Sequence, residues 1–139
     1  MLCPVCKTQT LQMAERHGID EVNFTFEGHN EVRRRGVRVL NHEELRAGDV
    51  SLEYVSRLMH RRYSDAPTIR KVLQTLWYQV NSGQEIYVIG TVLEDGTVRG
   101  GTGWGAEFAK ICNKPLHVFD QAFAQLGLAP VASQLRGQE

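Results

Sequence analysis

The hydrophobic positions of this chain follow a helical period in some segments and a strand period in others. Residues 10–17 have helical spacing and end at Gly18, whereas residues 21–26 alternate in polarity and are rich in β-forming side chains. Residues 51–63 again place apolar side chains three or four positions apart, as does the segment that begins at Pro67. These patterns predict a helix, a strand and two further helices.

A shorter apolar segment lies between the first predicted strand and the later helices. Val37–Leu40 predicts a second strand or an extended loop. Asn41 follows as a favourable helix N-cap, and Glu44 stands three residues later, which is the spacing of a capping box. We therefore expect a helix to begin directly after this segment.

The second half of the chain alternates short apolar segments with a helix. Residues 85–92 and 116–119 contain continuous apolar runs, which predict strands buried on both faces. A helix is expected between them, at residues 103–112. Because strands and helices alternate, we predict an α/β fold: a Rossmann-like three-layer sandwich with a mostly parallel sheet, in a single domain. This domain is placed at residues 1–127, followed by a flexible tail at 128–139.

Composition excludes several function classes. The chain has 139 residues, and Lys plus Arg equal Asp plus Glu at 16 each, so no overall field attracts nucleic acid or an acidic membrane. No apolar run approaches the roughly 18 residues that a membrane span needs. The three cysteines are an odd number in a chain too large to depend on disulfides, which indicates a reducing compartment. We expect a cytoplasmic protein without a cofactor.

The strongest local feature is the glycine-rich turn Gly100–Gly105, which runs from a predicted strand into a predicted helix. A phosphate group needs backbone N–H donors and the positive end of a helix dipole, and a Cβ would obstruct its approach. The spacing matches neither the dinucleotide fingerprint nor the phosphate-binding loop that carries a lysine. The alternative is a tight strand-to-helix turn without a ligand. We predict ligand binding by Gly100, Gly101, Thr102, Gly103 and Trp104, whose indole would stack on a base or line the pocket.

The segment Gly100–Glu107 resembles a motif of the SLOG superfamily, the Rossmann-like group that includes lysine-decarboxylase-like phosphoribohydrolases. Their motif reads Pro-Gly-Gly-x-Gly-Thr-x-x-Glu, and Arg99 and Trp104 replace its proline and threonine here. A mostly uncharacterised bacterial and phage branch is more similar, over residues 12–121. The matching segments are Trp77–Val80, Val88–Gly90, Gly100–Trp104, Lys114–Gln121 and Phe26–His29.

This chain departs from that branch at its start, before Trp77, and after the Phe-Asp-Gln strand, where the usual tryptophan is absent. Members usually open with a strand and a Ser-Gly-Gly loop that binds a second phosphate, but Cys3–Cys6 stands at the position of those glycines. Members also tend to carry Arg-Asn where this chain has Thr75-Leu76. The expectation is a chain truncated at its start or a degenerate member.

The resemblance implies a nucleotide-like ligand and a homodimer or larger oligomer. Asp120 and Gln121 follow a predicted strand, where such folds place ligand contacts. His29 would contact the ligand, act as an acid or base, or make only a structural hydrogen bond. Arg99 is the local candidate for a phosphate contact. Glu107 would offset the helix dipole, contact a ribose, or serve as a catalytic acid or base.

Two competing signals remain. Cys3 and Cys6 have the spacing of half a zinc site, but structural zinc needs four ligands and no second pair follows. The arginines in residues 33–38 and 57–70 would form a phosphate-binding patch or, more commonly for such runs, a solvated surface.

Three hypotheses therefore follow from the sequence. The first is binding or sensing of a nucleotide-derived ligand at the glycine turn. The second is a nucleotide N-glycosidase in which Glu107 assists attack at the ribose. The third is a small zinc-binding interaction protein built on Cys3 and Cys6.

Overall fold

The computed structural model describes residues 12–29 and 35–120, together with the backbone of residues 133–134. The first described helix, α1, covers residues 12–16. It stops at Gly18, whose φ of 65° is the left-handed conformation that glycine adopts most easily. The predicted first helix and its glycine stop are confirmed over the described residues.

Two short parallel strands follow. β1 (Asn23–Phe26) pairs in parallel with β2 (Val37–Leu40), so that Phe26 lies beside Leu40. All four side chains of β1 are buried, whereas β2 buries only Leu40. β2 is the short strand that the sequence left open as a strand or a loop.

Three helices connect this pair to the rest of the chain. α2 (His42–Arg46) has the predicted capping box, because Asn41 accepts from the Glu44 N–H at 2.8 Å and Glu44 accepts from the Asn41 N–H at 3.1 Å. α3 (Asp49–Met59) and α4 (Pro67–Ser82) follow, and Pro67 begins α4 as expected.

The last elements form a second sheet. β3 (Ile86–Gly90) pairs in parallel with β4 (Leu116–Asp120), and α5 (Gly101–Ile111) connects them. β5 (Ser133–Gln134) adds to β4 in the antiparallel direction, within the segment predicted to be a flexible tail.

One face of the β3–β4 pair forms the main core. Ile86 and Val88 alternate with the more exposed Tyr87, whose exposed fraction is 49%. The prediction that β3 is buried on both faces is therefore wrong. Although the run is apolar, only the face that carries Ile86 and Val88 is fully buried. The core includes the following buried side chains: Leu52, Val55, Leu73, Leu76, Val80, Val88, Phe108, Leu116 and Val118.

Helix α4 shows how the two sheets are oriented. The Phe24 and Tyr78 rings are 5.7 Å apart, whereas Lys71, two turns nearer the start of α4, lies over Phe26. β1 therefore runs antiparallel to α4. β3 also runs antiparallel to α4. It begins near Gly83, which follows the last residue of α4, and the chain after it leads to Gly101 of α5, which lies near Leu73 in the first half of α4. The carboxyl ends of β1 and β3 both point towards the first half of α4.

The described chain is thus an α/β structure with short parallel strand pairs. Its strands form two sheets, in the orders β1–β2 and β3–β4–β5, where the sequence predicted one mostly parallel sheet. Among the described residues, no helix is long and apolar enough to cross a bilayer.

Candidate functional site

The site predicted from the sequence lies where β3 and β4 end. Gly90 and Asp120 are register partners at the carboxyl ends of these strands. Residues 91–99 follow β3, and the glycine turn then begins α5. In parallel α/β sheets, this edge is where ligands bind.

The segment between β3 and α5 forms a small hairpin that the sequence did not reveal. Val92 and Val98 form an antiparallel bridge, and the Leu93 N–H donates to the Thr97 carbonyl at 2.8 Å. Asp95 accepts from the Thr97 hydroxyl at 2.6 Å and from its N–H at 2.9 Å, and these hydrogen bonds lower the pKa of the Asp95 carboxyl. The hairpin therefore fixes the backbone that enters the glycine turn.

The glycines of this region are needed for different reasons. A Cβ on Gly103 would lie 1.9 Å from the Val98 carbonyl oxygen, and a Cβ on Gly90 would lie 2.7 Å from the Val98 side chain. Packing of the hairpin against β3 and α5 thus demands both. Gly100 has a φ of 72°, which favours glycine, and the space around its Cβ position is open. Gly101 has no such constraint, because its Cβ would make only an ordinary contact of 3.6 Å with Leu73.

The first amides of α5 are the chemically open part of the turn. The helix begins at Gly101, two residues before the predicted start, and its N-cap Gly100 offers no side-chain cap. The Gly103 N–H donates to the Gly100 carbonyl at 3.1 Å, whereas no described residue accepts from the N–H of Gly101 or Thr102. An 11-residue helix thus presents, at its positive dipole end, two donors that no residue in the described part of the chain accepts from.

Trp104 is positioned as a core residue. Only 5% of it is exposed, and its ring lies 5.7 Å from the Tyr63 ring. The indole therefore packs in the core under the glycine turn. Stacking on a base would require the indole to leave the core.

Glu107 and Arg99 flank the turn differently. The Glu107 carboxylate accepts from Lys110 at 2.8 Å, and 15% of its side chain is exposed. Arg99 is exposed, and its backbone N–H donates to the Thr91 carbonyl at 2.9 Å. Arg99, which adjoins Gly100, is thus exposed to solvent, whereas Glu107 is mostly buried.

The remaining candidate ligand contacts lie at strand ends. His29 follows β1, where its Nδ1 lies 3.0 Å from the Thr25 hydroxyl and its ring packs on Phe26 at 4.7 Å. Asp120 is the last residue of β4 and is half-buried. Gln121 lies outside the described residues.

The zinc hypothesis involves residues that the structure does not describe, since Cys3 and Cys6 lie outside the described ranges. Within those ranges, no three His, Cys, Asp or Glu side chains cluster as metal ligands. Cys112 is a free, half-buried thiol whose pKa is raised by burial, which suits a small apolar role.

The arginines do not form one patch among the described residues. Arg57 is exposed, and the others mostly have local partners. The ion pairs are Arg35 with Glu21 at 3.2 Å, Arg38 with Glu44 at 2.9 Å, Arg62 with Asp65 at 3.1 Å and Arg70 with Asp65 at 3.5 Å.

Arg61, which the sequence offered only as one arginine of a possible phosphate-binding patch, instead binds the backbone that enters the glycine turn. Its guanidinium donates to the carbonyls of Val98 at 3.2 Å and Gly100 at 3.4 Å, and to the Thr97 hydroxyl at 3.0 Å. The sequence separates Arg61 from these partners by 36 to 39 residues, so no local pattern could have paired them.

Fold and site together define an α/β protein with an uncapped, glycine-rich helix start at the carboxyl ends of parallel strands. No protein-family model, no curated protein and no solved structure matches the chain.

Proposed function

We propose that the chain binds a phosphate-bearing, nucleotide-derived ligand at the start of α5. The observation that carries the proposal is the pair of N–H groups on Gly101 and Thr102, for which no described residue is the acceptor. Packing or φ accounts for Gly90, Gly100 and Gly103, but neither requires a glycine at position 101. A residue without a side chain there suits close approach of an anion to the backbone.

The arrangement of the strands supports this position. A groove of about 490 Å³ is lined by Phe24 of β1 and by Tyr87 and Ile89 of β3. It also contacts Ser82, Gly83 and Glu85, so it extends towards the amino end of β3 and does not include the glycine turn. The chain steps from β1 to β2 on one side of this groove, and from β3 to β4 on the other. We infer that the two strand pairs are halves of a doubly wound, Rossmann-like arrangement related to the SLOG superfamily. In such arrangements ligands bind at the carboxyl side of the point where the strand order reverses.

Contacts to the rest of the ligand come from the same edge. The phosphate would meet Gly100–Gly103 and the exposed Arg99, while Asp120 and His29 stand at the ends of β4 and β1 and suit contacts to the sugar. The buried Trp104 acts as support for the turn.

Position 101 provides the test. Gly101→Asp places a carboxylate where the phosphate would bind, while an acid at a helix start is favourable for folding. Gly101→Asn adds nearly the same bulk without charge and is the matched control. With AMP, ADP-ribose and NAD as probes in thermal shift and calorimetry, we expect the wild type to bind at least one. Gly101→Asp should lose at least about tenfold more affinity than Gly101→Asn. Equal binding by the two variants would place the ligand elsewhere.

Chromatography of the same mixtures separates binding from catalysis. Release of free base that disappears in Glu107→Gln would make the protein an N-glycosidase. We expect binding without turnover, because the Glu107 carboxylate is occupied by Lys110.

A further inference from the structure

A second cleft lies away from the glycine turn, between α2, the start of α3 and the first half of α4. Its volume is about 560 Å³, and seven of its nine lining residues are polar or charged. Cations come from both walls, with Arg46 on α2 and Lys71 on α4. None of the residues Gly100–Gly105 lines it.

Two of the three cations that line this cleft, Arg46 and Lys71, have no carboxylate partner among the described side chains. The Arg46 Nε donates only to the backbone carbonyl of His42, at 3.3 Å. The Lys71 Nζ lies 5.6 Å from the centroid of the Phe26 ring, a contact that orients the ammonium without neutralising it. The guanidinium of Arg70, the third cation, lies 3.8 Å from the centroid of the Tyr63 ring. It also forms an ion pair with Asp65, which Arg62 contacts as well.

A hydrogen-bonded acceptor group is held in the same cleft. Asp49 Oδ1 accepts from the Tyr63 hydroxyl at 2.6 Å and from the Gln74 amide at 2.9 Å. Tyr63 and Gln74 are 9% and 5% exposed, so the carboxylate is fixed by buried donors. Its second oxygen, Oδ2, accepts from no described side chain, which leaves an oriented acceptor in a cleft that also carries positive charge.

The start of α4 carries more positive than negative charge, because Arg70 and Lys71 have a single carboxylate, Asp65, just before the helix. Ala66 supplies no side-chain cap, and the first turn contains no acid. Arg70 and Lys71 instead place positive charge near the positive end of the helix dipole. An anion bound in the cleft would offset the repulsion between these positive charges and the helix dipole.

We propose that this cleft binds a small phosphorylated polyhydroxy compound, of the sugar phosphate class. The phosphate lies between Arg46 and Lys71, and a hydroxyl group donates to Asp49. A bare anion would leave the Asp49 acceptor unused, and an uncharged sugar would leave the cations unpaired. Chemistry of both kinds in one cleft therefore favours a ligand that carries both groups.

Isothermal titration calorimetry with ribose 5-phosphate, inorganic phosphate and ribose tests the proposal. We expect ribose 5-phosphate to bind at least about tenfold more tightly than either fragment. Lys71→Gln and Arg46→Gln should each weaken binding by about tenfold. Arg57→Gln removes an exposed arginine from outside the cleft and should leave the affinity unchanged, with folding of every variant checked by circular dichroism.

The variants also separate this cleft from the glycine turn. Ribose 5-phosphate binding here should survive in Gly101→Asp, whereas binding at the turn should not. The proposal is overturned if inorganic phosphate binds as tightly as ribose 5-phosphate, if Arg57→Gln weakens binding as much as Lys71→Gln, or if no binding is detected.

Discussion

The guanidinium of Arg61 donates a hydrogen bond to the carbonyl oxygen of Val98 at 3.2 Å and thereby ties the segment after α3 to the hairpin before α5. The same Nη1 atom reaches the Gly100 carbonyl at 3.4 Å. Because a trans peptide points its carbonyl and its N–H in opposite directions, holding the Gly100 oxygen turns the Gly101 N–H away from Arg61. Arg61 thus orients the donor on which the proposed phosphate site depends.

Replacing Arg61 should therefore affect both stability and binding. Arg61→Met keeps most of the apolar stem but removes three hydrogen bonds from a charged donor, which should lower the free energy of unfolding by about 2 kcal/mol. Urea unfolding measures this loss. Faster amide hydrogen exchange should accompany it at Leu93 and Arg99, whose N–H groups are hydrogen-bonded within the hairpin segment.

Arg57→Met is the control for this experiment, since Arg57 is exposed on the last turn of α3 and has no side-chain hydrogen bond with a described residue. Equal loss of stability in both variants would show that Arg61 contributes through general charge and not through the hairpin.

Alanine substitutions in the glycine turn should have opposite outcomes. Gly103→Ala forces a methyl group against the Val98 carbonyl, so we expect a loss of about 3 kcal/mol or failure to fold. Gly101→Ala meets only Leu73 at 3.6 Å and should raise the free energy of unfolding by less than about 1 kcal/mol, because alanine has less chain entropy to lose on folding. Thermal unfolding of the two variants, side by side, is the measurement. A tolerated Gly103→Ala would mean that the hairpin does not pack on α5 as described.

The elements could be predicted from the sequence because their determinants are local. The Asn41–Glu44 capping box, Pro67 at the start of α4 and the left-handed Gly18 each act within a few residues. The burial of β3 was predicted wrongly, since an apolar run does not say how many faces other elements cover. The division into two sheets depends on strand pairing, which is non-local as well.

The candidate site could be predicted only in part, for the same physical reason. The glycine turn is contiguous, so its position at the head of α5 followed from composition and period. Its support is not contiguous: Arg61 reaches Thr97 across 36 residues, and Tyr63 packs on Trp104 from another element. The cleft at Asp49 combines three helices and has no signature in any one segment.

The capping box predicts a specific dependence on pH. The hydrogen bond from the Asn41 N–H, followed by that from Arg38, lowers the pKa of Glu44 from its ordinary value of 4.5. The stabilisation is therefore complete above pH 4.5 and is lost as the pH falls below it, through the folded-state value. The difference in urea midpoint between wild type and Glu44→Gln should be largest near neutral pH and should shrink in acid. A difference independent of pH would show that the charge of Glu44 does not contribute.

Lys114 should stabilise the fold far more than an ordinary surface lysine. Its Nζ donates to the carbonyl oxygens of Val80 at 2.6 Å, Asn81 at 3.0 Å and Gly83 at 2.7 Å, and α4 has no base of its own in its last turn. Lys114→Met leaves these carbonyls without their donor and should lower the free energy of unfolding by about 2 kcal/mol.

Lys110 is the matched control for Lys114, because Glu107 on the same helix is the one described residue with which its ammonium pairs. Lys110→Met should cost less than about 0.5 kcal/mol. Lys114 hydrogen-bonds to the end of α4, an element more than 30 residues away in sequence. The Lys110–Glu107 ion pair lies within one helix that packing already stabilises, so it adds little. Comparable losses for the two variants in urea unfolding would contradict the assignment of Lys114 as the C-terminal cap of α4.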